Sequence, residues 1–230
     1  MSDFSARIVV LVISSREEPY AVITRKGQRS TWSLESVPGV DVIYYYSDPT
    51  VTSPQRDGCE LVLPGEEGTL GIGVRTAQAF NYVLENYPQL QYVYRTNTSS
   101  YVHLPGLVAY LDSCATRGLY SGILGEHEGQ VFVSGSGYAL SSDLVQLAVV
   151  GSSRMRTDIP DDLALSTLLI GDLGVVPTYC PRQDIINDGL LPTVDVTSFF
   201  HYRCKSDGER FFDILAMHHI FLVYAYNDSI

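Results

Sequence analysis

The sequence carries little positive charge. Its 230 residues include 15 Lys and Arg against 26 Asp and Glu, a formal net charge of −11. That balance excludes a general nucleic-acid binder, because phosphate contacts need clustered basic side chains. Long apolar runs are also missing. The run Ile8 to Ile13 has the length of a buried strand, far short of the ~20 residues that span a bilayer. The opening MSDFSAR shows no basic segment leading into an apolar one, so no secretory signal is read and a cytoplasmic location is expected. The four cysteines, Cys59, Cys114, Cys180 and Cys204, form no C-x-x-C pair and have no His at finger-like spacing. Free buried thiols are expected and a structural zinc is not, although spacing alone leaves disulfide pairing open. With 45% hydrophobic and 18% charged residues, the chain is globular and not disordered.

Several catalytic signatures are missing as well. No G-x-G-x-x-G opens a helix after the first strand, which disfavours a dinucleotide oxidoreductase, and there is no phosphate-cradling P-loop. The SGSG at 134–137 has Ser134 where a hydrolase nucleophile elbow needs its first glycine, so Ser136 is a poor nucleophile.

What is present is an alternation of strands and helices. RIVVLVIS at 7–14 reads as a central strand and VDVIYYY at 40–46 as a second, with a long loop over 50–68 around a short strand at 60–63. Val74, Ala77, Phe80, Leu84 and Tyr87 recur at helical spacing up to Pro88. A strand at 90–95 ends in the polar run Thr96 to Ser100. Helices are then predicted over 107–114, from 142 to about 150, after Pro160 and after Gly208, with strands near 119–124, 130–134 and 193–202. The pattern predicts one α/β domain, residues 1–230, on a mixed and mainly parallel sheet. Such sheets bind ligands beyond the carboxyl ends of their strands. Three polar or basic segments follow apolar strands: Ser14-Ser15-Arg16, RTNTSSY at 95–101, and HYRCK at 201–205. The last gathers His201, Arg203 and Lys205 on an otherwise acidic chain, which suits an anionic ligand; a solvated edge strand is an equal explanation. Gly135 and Gly137 allow close backbone approach, or simply mark a strand-to-helix turn. Asp161 and Asp162 form a carboxylate pair, and helix-dipole stabilisation of acids in a first turn, roughly 0.3–1 kcal/mol each, would explain them by itself. His218 and His219 read as packing or surface residues on the last helix, and the sequon matches at Asn97 and Asn227 as chance.

Taken in order, RKGQRSTW at 25–32, RTNTSSYV at 95–102, VSGSGYALSSDL at 133–144 and IPDDLALSTLLIGDLGVVP at 159–177 resemble the fringe and β1,3-galactosyltransferase-like glycosyltransferases of the GT-A fold. That superfamily shows R-x-x-I-R-x-T-W, K-T-D-D-D-x-F-V, S-G-G-G-Y-x-L-S and E-D-V or P-D-D in the same order. A branch carrying R-T-N-x-S-S-[FY] is the nearer likeness. The resemblance spans roughly residues 7–180. It implies a GT-A, Rossmann-like nucleotide-sugar-binding fold and an inverting hexosyltransferase that moves a sugar from a nucleotide-diphosphate donor, UDP-linked by analogy, to a glycan or other hydroxyl. It implies Asp162 as the general base, with Asp161 in support. Ser14 and Ser15 would lie near the nucleotide base, Asn97 and Ser99 near ribose or phosphate, and Gly135, Ser136 and Gly137 along the donor sugar.

One departure stands out. The family's aspartate triplet, which holds manganese or magnesium on the diphosphate, is Asn97, Thr98 and Ser99 here. Neutral oxygens bind hard cations far more weakly than carboxylates. Three readings stay open: a metal-independent enzyme, a weak metal site of Asn97, Ser99 and His201, or a non-catalytic nucleotide- or glycan-binding protein of the same fold. In the first, Arg203, Lys205 and His201, with Arg95 or Arg25, would stabilise the diphosphate.

Overall fold

A computed structural model of the chain describes residues 4–34, 36–69, 71–185 and 192–227. Its spine is Ile8–Ile13 (β1), apolar at every position because packed layers cover both faces of the sheet. β1 pairs in parallel with Val40–Asp48 (β2) on one side and Tyr92–Asn97 (β5) on the other. From β1 the chain runs through Tyr20–Val22 (α1) and a π-helical turn, Ile23–Gln28, to β2. It then forms a hairpin of Gln55–Asp57 (β3) and Glu60–Pro64 (β4), with β4 parallel to β2. Ile72–Asn86 (α2) returns the chain across β1 to β5. The carboxyl ends of β1 and β5 are therefore a topological switch point, where connections leave in opposite directions and open a crevice.

Beyond β5 the sheet continues antiparallel through the hairpin Tyr120–His127 (β7) and Gln130–Ser141 (β8), and ends on Thr178–Tyr179 (β9). The full order is β3-β4-β2-β1-β5-β8-β7-β9. A small sheet of Gln183–Asp184 (β10), His201–Arg203 (β11) and Ser100–Val102 (β6) stands beside it. Side chains alternate along β1 into two cores. Val9 and Leu11 meet Phe80 and Val83 of α2 and Leu144 and Val145 of Ser142–Val150 (α4). Ile8, Val10 and Val12 share the other core with Ile23, Trp32, Leu107 of Leu104–Asp112 (α3), and Met217 and Ile220 of Phe211–Asn227 (α6). The two acidic residues open Asp161–Ser166 (α5).

The structure corrects several boundaries. SGSG is not a strand-to-helix turn but the interior of β8, because Gly135 and Gly137 keep extended backbone while omitting only side chains. The turn at 125–130 is shorter than GEHEGQ suggests, with Glu128 (φ 51°) and Gly129 (φ 80°) supplying the left-handed pair of a tight hairpin. HYRCK does not follow a long strand from Thr193; its first three residues are β11, and 193–200 is irregular. The loop over 50–68 contains the extra strand β3. In α2 the buried face is Arg75, Thr76, Ala79, Phe80 and Val83, and Val74 is exposed. Residues 186–191, and Asp228 and Ser229 of the second sequon, lie outside the described residues.

Candidate functional site

A cleft of about 370 Å3 opens at the switch point. Ser14 and Ser15 enter it from the end of β1, Asn97, Thr98 and Ser99 from the end of β5, Ile72 and Arg75 from the first turn of α2, and Lys205 and Arg210 from the chain leading into α6. A larger groove of about 510 Å3 lies on the other flank of α2; it is lined mainly by apolar residues such as Pro64, Val74, Val149, Met155 and Ile159, with Asp161 at its edge. The smaller cleft brings hydroxyl, amide and cationic groups together at the carboxyl ends of the central strands β1 and β5.

Each wall is fixed by named bonds. Ser14 Oγ shares a 2.9 Å hydrogen bond with Thr24 Oγ1, and Ser15 Oγ donates to Glu67 at 2.5 Å. Asn97 Oδ1 accepts from the Ser99 N–H at 3.0 Å, which closes a tight turn after β5. That turn is braced from behind: Gln28 Nε2 donates to the carbonyls of Asn97 (2.9 Å) and Ser100 (3.0 Å), and Trp32 Nε1 donates to Ser100 at 3.1 Å. The RKGQRSTW segment is thus the buttress of the β5–β6 turn. In front, Arg210 Nη2 donates to Ser99 Oγ at 2.8 Å while Arg210 Nε holds the buried Asp213 carboxylate at 2.8 Å. The Arg210 guanidinium also stacks over Tyr20, 5.5 Å from the ring centroid.

Other residues singled out from sequence stand elsewhere. Arg25 is exposed on the π-helical turn and does not line the cleft. Arg95 is buried and committed: its Nη2 pairs with Asp161 at 2.7 Å, its Nε donates to Tyr45 Oη at 3.2 Å, and its Nη1 donates to the Gly135 carbonyl. Burial works against its charge, but Asp161 and then Tyr45 outweigh burial and raise its pKa. His201 is 3% exposed, with Nε2 on Ser100 Oγ at 3.0 Å. Burial, reinforced by Arg182, lowers its imidazole to about 3, so it is neutral near pH 7 and is no phosphate cation. Arg203 leans to Asp184 at 3.5 Å. Of the basic residues in HYRCK, only Lys205 reaches the cleft.

Gly135 and Gly137 face protein. A β-carbon on Gly135 would lie 3.2 Å from Asp162 Oδ2, and one on Gly137 2.4 Å from His201 Cε1. The face expected to border a donor sugar is therefore filled by Asp162 and Arg95 at Gly135, and by His201 and Tyr94 at Gly137. Ser136 is buried, and its Oγ accepts from Arg182. Asp162 Oδ2 accepts from the Gly135 N–H at 2.9 Å and its Oδ1 from the Leu163 N–H at 3.0 Å. Neither Asp161 nor Asp162 lines the cleft. Among the described residues, no group of three His, Cys, Asp or Glu side chains is placed to hold a metal ion, and the four cysteines are free.

Arg75 and Arg210 are the functional candidates that sequence reading missed. For Arg75 the signal was present: it lies four residues before Ala79 and eight before Val83, on the inward face of α2, where a charge is out of place unless something partners it.

The architecture is a single-domain α/β fold with a mixed, mainly parallel sheet and a polar cleft at its switch point. Among solved structures, the chain is similar to a glycosyltransferase involved in the glycosylation of the major capsid of PBCV-1, at 12% identity and a TM-score of 0.58, over 92% of this chain and 98% of that one. No protein-family model and no curated protein matches the sequence.

Proposed function

We propose that the protein is a glycosyltransferase that seats a nucleotide-diphosphate sugar, UDP-linked by the fringe-like resemblance, in the switch-point cleft and transfers the sugar to a hydroxyl acceptor. The observation that carries this reading is the convergence of Ser14, Asn97, Ser99, Lys205 and Arg210 on the carboxyl ends of β1 and β5, in a chain with a glycosyltransferase fold.

Transfer with inversion needs one base. The acceptor oxygen attacks the anomeric carbon while its proton passes to a carboxylate, and the bond to the diphosphate breaks with its electron pair leaving on phosphate. Asp162 is assigned that proton, since Asp161 is committed to Arg95. The first turn of α2 separates the two cavities: Ile72 and Arg75 line the cleft, Gly73 and Val74 line the larger groove with Asp161, and a β-carbon on Gly73 would lie 3.8 Å from Asp161 Cβ. The role requires the donor sugar to extend from the cleft toward α5 and the acceptor to approach by the groove.

Asp162→Asn keeps an amide oxygen for the Gly135 N–H but cannot take a proton. We expect at least a ~100-fold loss of UDP-sugar turnover, the low end for a general base, with UDP affinity within about twofold of wild type. Turnover close to wild type removes Asp162 from the chemistry. A second reading, a nucleotide- or glycan-binding protein without transfer, is favoured by one observation: both carboxylates already serve structural partners, Arg95 for Asp161 and two backbone N–H groups for Asp162. UDP release from UDP-sugars, in the presence of an acceptor panel, separates the two.

A further inference from the structure

We infer that the donor diphosphate is held by Lys205, Arg210 and Arg75 in the place where the fold family uses a divalent cation. The inference rests on the nucleotide-sugar reading above and goes further in naming what neutralises the phosphates.

The residues at the end of β5 do not fit a divalent cation. Asn97, Thr98 and Ser99 bring no carboxylate. Asn97 Oδ1 is already the acceptor that closes its own turn at 3.0 Å. Ser99 Oγ accepts from the Arg210 guanidinium at 2.8 Å, so a dication on that oxygen would sit against a fixed positive charge. His201, which could have completed a neutral ligand set, is buried with Nε2 on Ser100 Oγ at 3.0 Å.

What the cleft holds in place of metal ligands is cationic donors with capacity to spare. Arg75 is 5% exposed, yet its Nε has no hydrogen-bond partner among the described residues and its only side-chain bond there goes to the Gly68 carbonyl at 2.7 Å. No carboxylate forms an ion pair with it among those residues, although Glu67 is near enough to act on it through space. A guanidinium buried with carboxylates, Glu67 and Asp161, acting on it only through space and none in direct contact is costly, and an anion that pairs with it in the cleft lowers that cost. Lys205 also lines the cleft and makes no ion pair among the described residues. Arg210 is aimed by Asp213, whose Oδ1 is itself pinned by the Ser206 N–H and Oγ, both at 2.9 Å. That leaves Arg210 Nη1 free of hydrogen bonds among the described residues, and guanidinium forks match phosphate oxygens. The acids Glu17 and Glu67 share the cleft and offer acceptors for sugar hydroxyls.

Calorimetric titration of the full chain with UDP, GDP, ADP and dTDP, in manganese and in chelator, tests this. At least one diphosphate is expected to bind with the same affinity in both buffers, within about twofold. Lys205→Ala, an exposed position whose loss leaves the fold intact, and Arg210→Gln should each weaken that binding at least about tenfold, as for a lost charge-assisted hydrogen bond. Affinity for the matching nucleoside, which lacks phosphates, should not change in Lys205→Ala. Binding that requires manganese overturns the inference and leaves the transferase reading standing. Chelator-insensitive binding that both variants leave unchanged also overturns it, because the phosphates then lie elsewhere. Failure of every diphosphate in both buffers overturns the transferase reading itself.

Discussion

Gly137 has no room for a β-carbon. One placed there would lie 2.4 Å from His201 Cε1 and 2.6 Å from Tyr94 Oη, closer than non-bonded atoms approach. The requirement is steric, since Gly137 sits in the extended interior of β8. Gly129 differs, with open space around it and a φ of 80° that only the hairpin turn explains. We expect Gly137→Ala to destabilise the protein by about 1–3 kcal/mol, the usual cost of overpacking a filled site. It should appear as a lower urea midpoint at unchanged m. An unshifted midpoint would mean that His201 can swing away freely. The SGSG glycines were legible in the sequence as places of close approach. What approaches was not legible, because Arg95, Asp162 and His201 reach them from β5, α5 and β11, distant in sequence and brought together only by the tertiary fold.

At the scale of elements, the cleft is only as rigid as the turn after β5, and that turn is held by the π-helical segment behind it. Gln28 is the main strut, with its amide donating to two carbonyls that would otherwise be buried beside the turn. Gln28→Ala should cost about 1–3 kcal/mol by removing the amide that donates to the Asn97 carbonyl and one of the two side-chain donors to the Ser100 carbonyl, and it should weaken nucleotide binding as Asn97 and Ser99 lose their backing. Arg25→Ala, on the exposed side of the same turn, should change neither quantity. If the two variants behave alike in urea and in titration, the strut is unimportant. Elements of this size were unevenly legible. β1, β2, α2, α4 and α6 were legible as apolar segments between turn and breaker residues, but the face read for α2 was displaced: Val74 is exposed, and Ala79 and Val83 are buried. β11 and β3 were not, being three residues each: β11 is defined by pairing with β6, far away in the sequence, and β3 is a short edge strand hairpinned onto β4. The cleft followed the same rule. Ser14, Ser15, Asn97 and Ser99 could be placed from strand ends alone, and Lys205 from the local charge. Arg203 and His201 were misplaced, because a strand sends alternate side chains to opposite faces and its register was not visible. Arg210 belongs to the approach to α6 and became a site residue only once Asp213 and Ser99 were seen to flank it.

The whole molecule is two sheets joined at a seam, and His201 stands in that seam. It bonds Ser100 of β6, lies edge-on to Tyr94 of β5 with ring centroids 6.0 Å apart, and fills the space above Gly137 of β8. Burial lowers its pKa from 6.5 to about 3. Between those values the unfolded chain binds a proton there and the folded chain does not. The contribution to stability is therefore fully present above pH 6.5 and is lost progressively as the pH falls toward 3. In the middle of that window a single such group gives a slope of about 1.4 kcal/mol per pH unit. The depressed carboxylates Asp48, Asp158, Asp184 and Asp195 act with the same sign, but their window opens only below the ordinary value of 3.8. Acidic groups that titrate alike in both states shift the net charge without changing the slope. From about pH 6 to pH 4.5 the neutral imidazole should thus make the protein acid-sensitive. Urea midpoints measured across that range should fall steadily in the wild type and stay nearly level in His201→Gln, which keeps a donor for Ser100 but has no proton to gain. A wild-type stability that is flat there, or a variant with the same slope, would place the acid sensitivity elsewhere than the seam.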